Sequence, residues 1–237
     1  MTRQHKLIAL LVFALAVAMP AWGNSGSARD DVAAIVKQDE ASHRQRLAAA
    51  NAGNPHAQFE LGRMAEQGTG RLSANPREAV RWYRLAAEKG HADAQFALAQ
   101  AYAAGRGVMQ DHKKAAYWFN RAAKQNHASA LIELAQLHEE GAGVRRNQAW
   151  ATELIRRAAA AGSPAGQYLY SNRLEAGVGV AQNKRAAWTW LRRAAEKGYP
   201  AALARLGHTA DAGARVKEVL AAYVLLSGSN PQRILLQ

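Results

Sequence analysis

A unit of 36 residues recurs along most of this chain, and that recurrence limits the fold more than any other feature. Gly68-Thr69-Gly70, Gly105-Arg106-Gly107, Gly141-Ala142-Gly143 and Gly177-Val178-Gly179 punctuate it, the last three in strict register and the first offset by one residue. Alanine pairs keep the same beat at Ala86-Ala87, Ala122-Ala123, Ala158-Ala159 and Ala194-Ala195. A period of this size means stacked supersecondary units, each burying its apolar face against its neighbours. Such a stack presents a long surface rather than one enclosed pocket, which points to binding before chemistry.

Within one unit, Ala94, Leu98, Ala101 and Tyr102 fall on one helical face, and Gly105 stands where a helix C-terminus needs a left-handed residue. Asp111 then opens a second helix as N-cap, and Ala115, Trp118 and Ala122 share its inner face until Asn126 closes it. The other units repeat the scheme: caps at Asn75, Asn147 and Asn183, a bulky residue at Trp82, Leu154 and Trp190, closing turns at Gly90, Gly162 and Gly198. No strand-like alternation occurs. The expected class is all-α, a right-handed α-solenoid of stacked helix-turn-helix repeats, about four to five units with atypical capping helices.

The expected organisation is a signal peptide over 1–23, an N-terminal capping helix over 24–52, repeats over 53–213, and a C-terminal capping helix and tail over 214–237. Arg3, His5 and Lys6 precede an apolar run at 7–18, and Ala21-Trp22-Gly23 supplies small residues for cleavage, a secretory layout. Cleavage is expected after Gly23, with Ala28 as the second choice; the run is shorter than the roughly 20 residues of a membrane span. Toward the other end, Leu206 continues the leucine stripe, and Arg215 replaces the second glycine after Gly213. Residues 216–226 read as a last helix, followed by an apolar Ile234, Leu235 and Leu236.

The chain has no cysteine, which excludes disulfides, thiolate metal sites, cysteine nucleophiles and lipoprotein anchoring. Its formal charge is +13, or +11 once Arg3 and Lys6 leave with the leader. That surplus favours an acidic partner, either a protein or an anionic glycan. Nucleic acid suits the charge but not an exported protein. The basic residues are also spread over every repeat, as on a solvated outer face.

Catalytic patterns are missing. Ser42, Ser73, Ser129 and Ser163 are followed three residues on by Gln45, Pro76, Ile132 and Gly166, never by the lysine of a penicillin-recognising serine enzyme. No helix carries two histidines flanking a glutamate. His91 and His127 occupy equivalent turns, but stacked helices lie about 10 Å apart, too far for one metal ion. His138-Glu139-Glu140 reads as helix-terminal charge, and the glycine pairs lack the following lysine of a phosphate loop. No metal, cofactor or catalytic residue is assigned.

The run Ala94-x3-Leu98-x3-Tyr102-x2-Gly105-x-Gly107-Val108, then Asp111, Lys114-Ala115, Trp118-Phe119 and Arg121-Ala122-Ala123, resembles the Sel-one-like repeat, a relative of the tetratricopeptide repeats. The resemblance implies helical solenoids acting as adaptors, regulators, inhibitors or immunity proteins of the bacterial envelope. One branch of that family is cysteine-rich and linked to penicillin binding; this chain has no cysteine, so the link does not carry over. Departures are local: Arg71-Leu72 replaces the usual Gly-Val, and His138 and Leu174 stand where Tyr102 does.

The candidate binding face is on the first helices. Around the packed stripe of Leu61, Leu98, Leu134, Tyr170 and Leu206, one row holds Phe59, Phe96, Ile132, Tyr168 and Ala204. A second holds Arg63, Gln100, Gln136, Asn172 and His208. Helical geometry turns both away from the second helix, toward the concave side of such a stack. The partner-binding set is therefore Phe59, Arg63, Phe96, Gln100, Gln136, Tyr168 and Asn172, although apolar residues at this spacing commonly serve only as core. The function expected is a non-catalytic periplasmic protein–protein interaction module. The alternative is a basic protein binding peptidoglycan or an exopolysaccharide.

Overall fold

Asparagine and aspartate side chains start the second helix of each repeat, and the chain is helical between those starts and the glycine turns. The computed structural model describes residues 26–69 and 73–207. The leader, Gly70, the Arg71-Leu72 departure, His208, Gly213, Arg215, the helix expected over 216–226 and the tail lie outside the described residues. The described residues form ten helices in succession: α1 (Gly26–Asn51), α2 (Pro55–Gln67), α3 (Pro76–Glu88), α4 (Ala92–Ala104) and α5 (His112–Lys124), then α6 (Ala128–Glu140), α7 (Gln148–Ala160), α8 (Pro164–Ala176), α9 (Lys184–Glu196) and α10 (Pro200–Arg205). Among the described residues every regular element is a helix, in stacked helix-turn-helix repeats of the all-α class expected.

The helix ends are locally determined. Asn75, Asp111, Asn147 and Asn183 take extended backbone, and each side-chain oxygen accepts from the amide three residues on, at 3.2, 2.9, 2.9 and 2.9 Å. That satisfies one of the orphan donors of the first turn. At the far end of α4, Gly105 has φ 68° and its N–H returns to Ala101 O, a left-handed cap that a side chain would strain. Asn126 takes φ 61° in the closing turn, as its short polar side chain permits.

The chain divides into two compact units, residues 1–130 with 142–145, and residues 131–141 with 146–237. In the first, α1 to α5 pack neighbour on neighbour. Leu61 and Leu98 are fully buried, with the alanine pairs Ala86-Ala87 and Ala122-Ala123 leaving room for close helix approach. In the second, α7 to α10 do the same, around Tyr170, Leu191, Ala194 and Ala202.

The bulky place expected in each second helix needs correcting. Trp82, Trp118 and Trp190 are only half-buried; the large bodies in the core are their successors Tyr83, Phe119 and Leu191, with Leu154 and Ile155 both buried in α7. Position seven of these helices lies at the border of the buried face, and position eight at its centre.

Buried glutamines tie three of the first helices, α2, α4 and α8, to the preceding helix, a feature composition does not reveal. Gln95 Nε2 donates to Ala87 O at 3.0 Å, Gln167 Nε2 to Ala159 O at 3.4 Å, and Gln58 Nε2 to Ala50 O at 2.9 Å. The last bond gives the end of α1 the role of a second helix. Lysine and glutamine repeat a related tie in the turns: Lys89 Nζ to Gly53 O, Gln125 Nε2 to Gly90 O, and Lys197 Nζ to Gly162 O, at 2.6, 2.9 and 2.6 Å.

Candidate functional site

The fifth position of α2, α4 and α8 carries the aromatic members of the expected row, and their rings are engaged within the protein. Phe59 stacks on His91 with centroids 4.8 Å apart and lies 5.8 Å from Tyr83 of α3. Phe96 repeats this with His127 at 4.7 Å and Phe119 of α5 at 5.7 Å. In the second unit Tyr168 meets Tyr199 at 5.4 Å. These residues are half-buried, and they turn toward the second helix rather than away from it. The expectation that this row faces away from the second helix is corrected. Each ring fills the corner between its own second helix and the next N-cap, where burial favours it.

His91 and His127 are those N-caps. Their Nδ1 atoms accept from Ala94 N and Ala130 N at 3.3 and 3.1 Å, so Nδ1 must be unprotonated. Asp93 lies 3.2 Å from His127 Nε2 and 4.0 Å from His91 Nδ1. Burial holds the His91 imidazole below its ordinary value, against the opposing pull of Asp93. The pair therefore serves helix starts and aromatic packing. The repetition of His at equivalent turns was visible in sequence, but the cap was not, because Asn and Ser are the usual residues there.

The ninth position carries the polar row. Arg63 is exposed and Gln100 half-exposed in the first unit; Gln136 is exposed and Asn172 half-exposed in the second. Arg63 Nη1 reaches Glu60 at 3.3 Å, and Gln136 Nε2 donates to Glu140 at 2.8 Å. Asn172 Oδ1 accepts from Arg205, which also pairs with Glu175. Around Gln136 the surface is acidic: burial first, and Glu140 second, push the Glu133 carboxyl above its ordinary range, and Glu139 pairs with Arg173.

The second helices carry a different chemistry. Tyr117, Trp150 and Trp188 are exposed, and arginines lie over aromatic rings: Arg121 over Tyr117 and Trp118 at 5.9 and 5.7 Å, Arg192 over Trp188 at 5.5 Å, Arg193 over Trp190 at 4.8 Å. Sequence reasoning counted these arginines as dispersed surface charge. The signal was the i,i+4 spacing of Tyr117 with Arg121 and Trp188 with Arg192, which places ring and guanidinium side by side.

Four copies of the Sel1 repeat match the chain, at residues 55–91, 92–127, 128–163 and 164–199, together more than half its length. The chain belongs to the Sel1 repeat family. Its matched boundaries fall in the closing turns, so each copy is one first helix, one glycine loop and one second helix. The chain is similar to a protective antigen present in uropathogenic Escherichia coli strains and displaying an SLR fold, with 32% identity and a TM-score of 0.66 over 70% of this chain. It is also similar to a Sel1 repeat protein from Oxalobacter formigenes, with 30% identity and a TM-score of 0.64 over 69% of this chain. The match spans 35% of the first protein and 65% of the second. No curated protein matches the sequence. Sel1 repeat proteins generally mediate protein–protein interaction, and most are scaffolds rather than catalysts. No described helix of this Sel1 repeat protein is long and apolar enough to cross a membrane.

Proposed function

We propose that this Sel1 repeat protein is an exported, non-catalytic interaction module of the bacterial envelope. It acts as an adaptor, regulator or inhibitor by holding another protein on position nine of its first helices. The basic, apolar and small-residue order of its first 23 residues supports export to the periplasm. The observation that carries the binding reading is the contrast within one helix: position seven is buried as Leu61, Leu98, Leu134 and Tyr170, while position nine keeps Arg63, Gln100, Gln136 and Asn172 at the surface. Amide and guanidinium groups on rigid helices offer hydrogen bonds at low ordering cost. Phe59, Phe96 and Tyr168 are engaged with ring partners of the protein itself, which leaves the polar row as the main contact surface.

The test replaces Arg63, Gln100, Gln136 and Asn172 together by alanine. Circular dichroism should show unchanged helicity, because surface changes of this kind fall within about 0.5 kcal/mol each. Pull-down from envelope extracts should then lose the partner that the wild-type protein captures. A folded quadruple variant that captures it undiminished overturns the assignment of the face.

A further inference from the structure

The outward side of α5 is cationic without any acid of its own. From His112 to Lys124 the helix contains Lys113, Lys114, Arg121 and Lys124 and no Asp or Glu. The carboxylate before it, Asp111, is occupied, accepting from Lys114 N at 2.9 Å and pairing with Lys114 Nζ at 3.2 Å.

Among the described residues, Arg121 is held on this surface by aromatic groups rather than by a carboxylate. Tyr117 and Trp118 stand nearly perpendicular, at 81° and 5.1 Å, and the guanidinium lies over both rings. Its Nη1 donates to the Tyr117 hydroxyl at 3.1 Å. By contrast Arg63, Arg106, Arg156, Arg173 and Arg205 each face a glutamate. A guanidinium presents five donors in a planar fork that matches a carboxylate. Arg121 thus has its side chain ordered in advance and donors left to offer, while Tyr117, 53% exposed, adds a flat apolar contact beside it. Ordering a long side chain beforehand removes part of the entropy cost of binding.

We propose that this face of α5 docks an acidic segment of a protein partner, with Arg121 taking a carboxylate, Tyr117 packing on the chain, and Lys113 and Lys124 steering it. Arg and Tyr beside a half-buried Trp are the residues that dominate protein interfaces. A membrane surface fits less well, since Tyr117 is the one exposed large apolar body on this helix and its hydroxyl is bonded to Arg121. The face differs from the first-helix row, so the two readings can fail separately.

The experiment uses the full chain and a fluorescein-labelled peptide of alternating glutamate and alanine, followed by anisotropy at about 0.15 M salt, where distant charges are largely screened. Arg121→Gln and Lys124→Gln remove the same unit of charge from the same helix. Arg121→Gln should weaken binding about tenfold, a loss of the size of one charge-assisted hydrogen bond, and Lys124→Gln less than about threefold. Arg121→Lys keeps the charge but loses the fork, so it should behave like Arg121→Gln; it also serves should Arg121→Gln fail to fold. Equal losses from Arg121→Gln and Lys124→Gln, or no peptide binding, overturn the proposal. So does tighter, Arg121-dependent binding of polygalacturonate, a single-stranded oligonucleotide or phosphatidylglycerol vesicles, which would assign the face to that class instead. The quadruple first-helix variant should keep its peptide affinity, and its loss of the envelope partner is read independently.

Discussion

Position five of the second helix is occupied by Val80, Ala116 and Thr152 in α3, α5 and α7, and by Trp188 in α9. The first three are 4%, 4% and 2% exposed, and Trp188 is 55% exposed. Glycine turns land on the starts of α3, α5 and α7. Gly107, at φ 70°, lies against the Pro76 carbonyl, so that any Cβ there would overlap it; Gly143 meets His112 in the same way, and Gly179 meets Gln148 and Thr152. In the second unit the closure is a hydrogen bond, with Thr152 Oγ1 donating to Val178 O at 2.8 Å. Gly107, Gly143 and Gly179 therefore have an interhelical task as well as a conformational one.

Breaking the covered arrangement should have the largest effect. Gly179→Val places a β-branched residue at positive φ and against α7. Left-handed backbone and overpacking together should cost about 2–5 kcal/mol, read as a lowered urea midpoint. An unchanged midpoint would mean that the turn can rise off α7 freely. Thr152→Val keeps the shape and deletes the bond to Val178 O, so a loss of about 0.5–1.5 kcal/mol is expected in the same titration.

The starts of the first helices after α2 form a second contrast, with His91 and His127 capping α4 and α6, Ser163 capping α8, and Tyr199 at the start of α10 making no side-chain cap bond. Because burial lowers the His91 pKa, its stabilising contribution is fully present above the ordinary value of 6.5 and is lost as pH falls below it. Thermal melts should therefore drop as pH is lowered from about 7.5 to 5, and His91→Asn, which caps without titrating, should flatten part of that drop. A slope identical in the variant would remove His91 as its source. The smallest effect belongs to the exposed indole: Trp188→Ala should change stability by no more than about 0.5 kcal/mol, as for other surface substitutions. A larger loss in the melting curve would show that the indole is covered in solution.

Much of this was legible in the residues. The caps at Asn75, Asp111, Asn147 and Asn183 act on an amide three positions away, and Gly105 on a carbonyl in its own helix, so they depend on local chemistry alone. The stripe of Leu61, Leu98 and Leu134 follows from helical periodicity, and the 36-residue period selected the family. Position nine was likewise readable as a polar row, though its partner was not.

Other features needed the packed structure. Whether Trp118 or Phe119 enters the core depends on how α4 and α5 meet, since adjacent residues differ by only 100° about the axis. Phe59 and Phe96 were expected on an open face, yet the histidine of the following turn closes over each. Gln95 looks like a surface residue until Ala87 O stands within 3.0 Å of it, and Gln125 Nε2 meets its Oε1 at 2.9 Å. Arg121 resembles any other surface charge until two rings are found beneath it. The rings under Arg121 lie on its own helix, but for Trp118, Phe59 and Gln95 a local signal set the helix and its ends while a different helix or turn supplied the neighbour that buries, stacks or pairs the side chain, which helical periodicity alone does not locate.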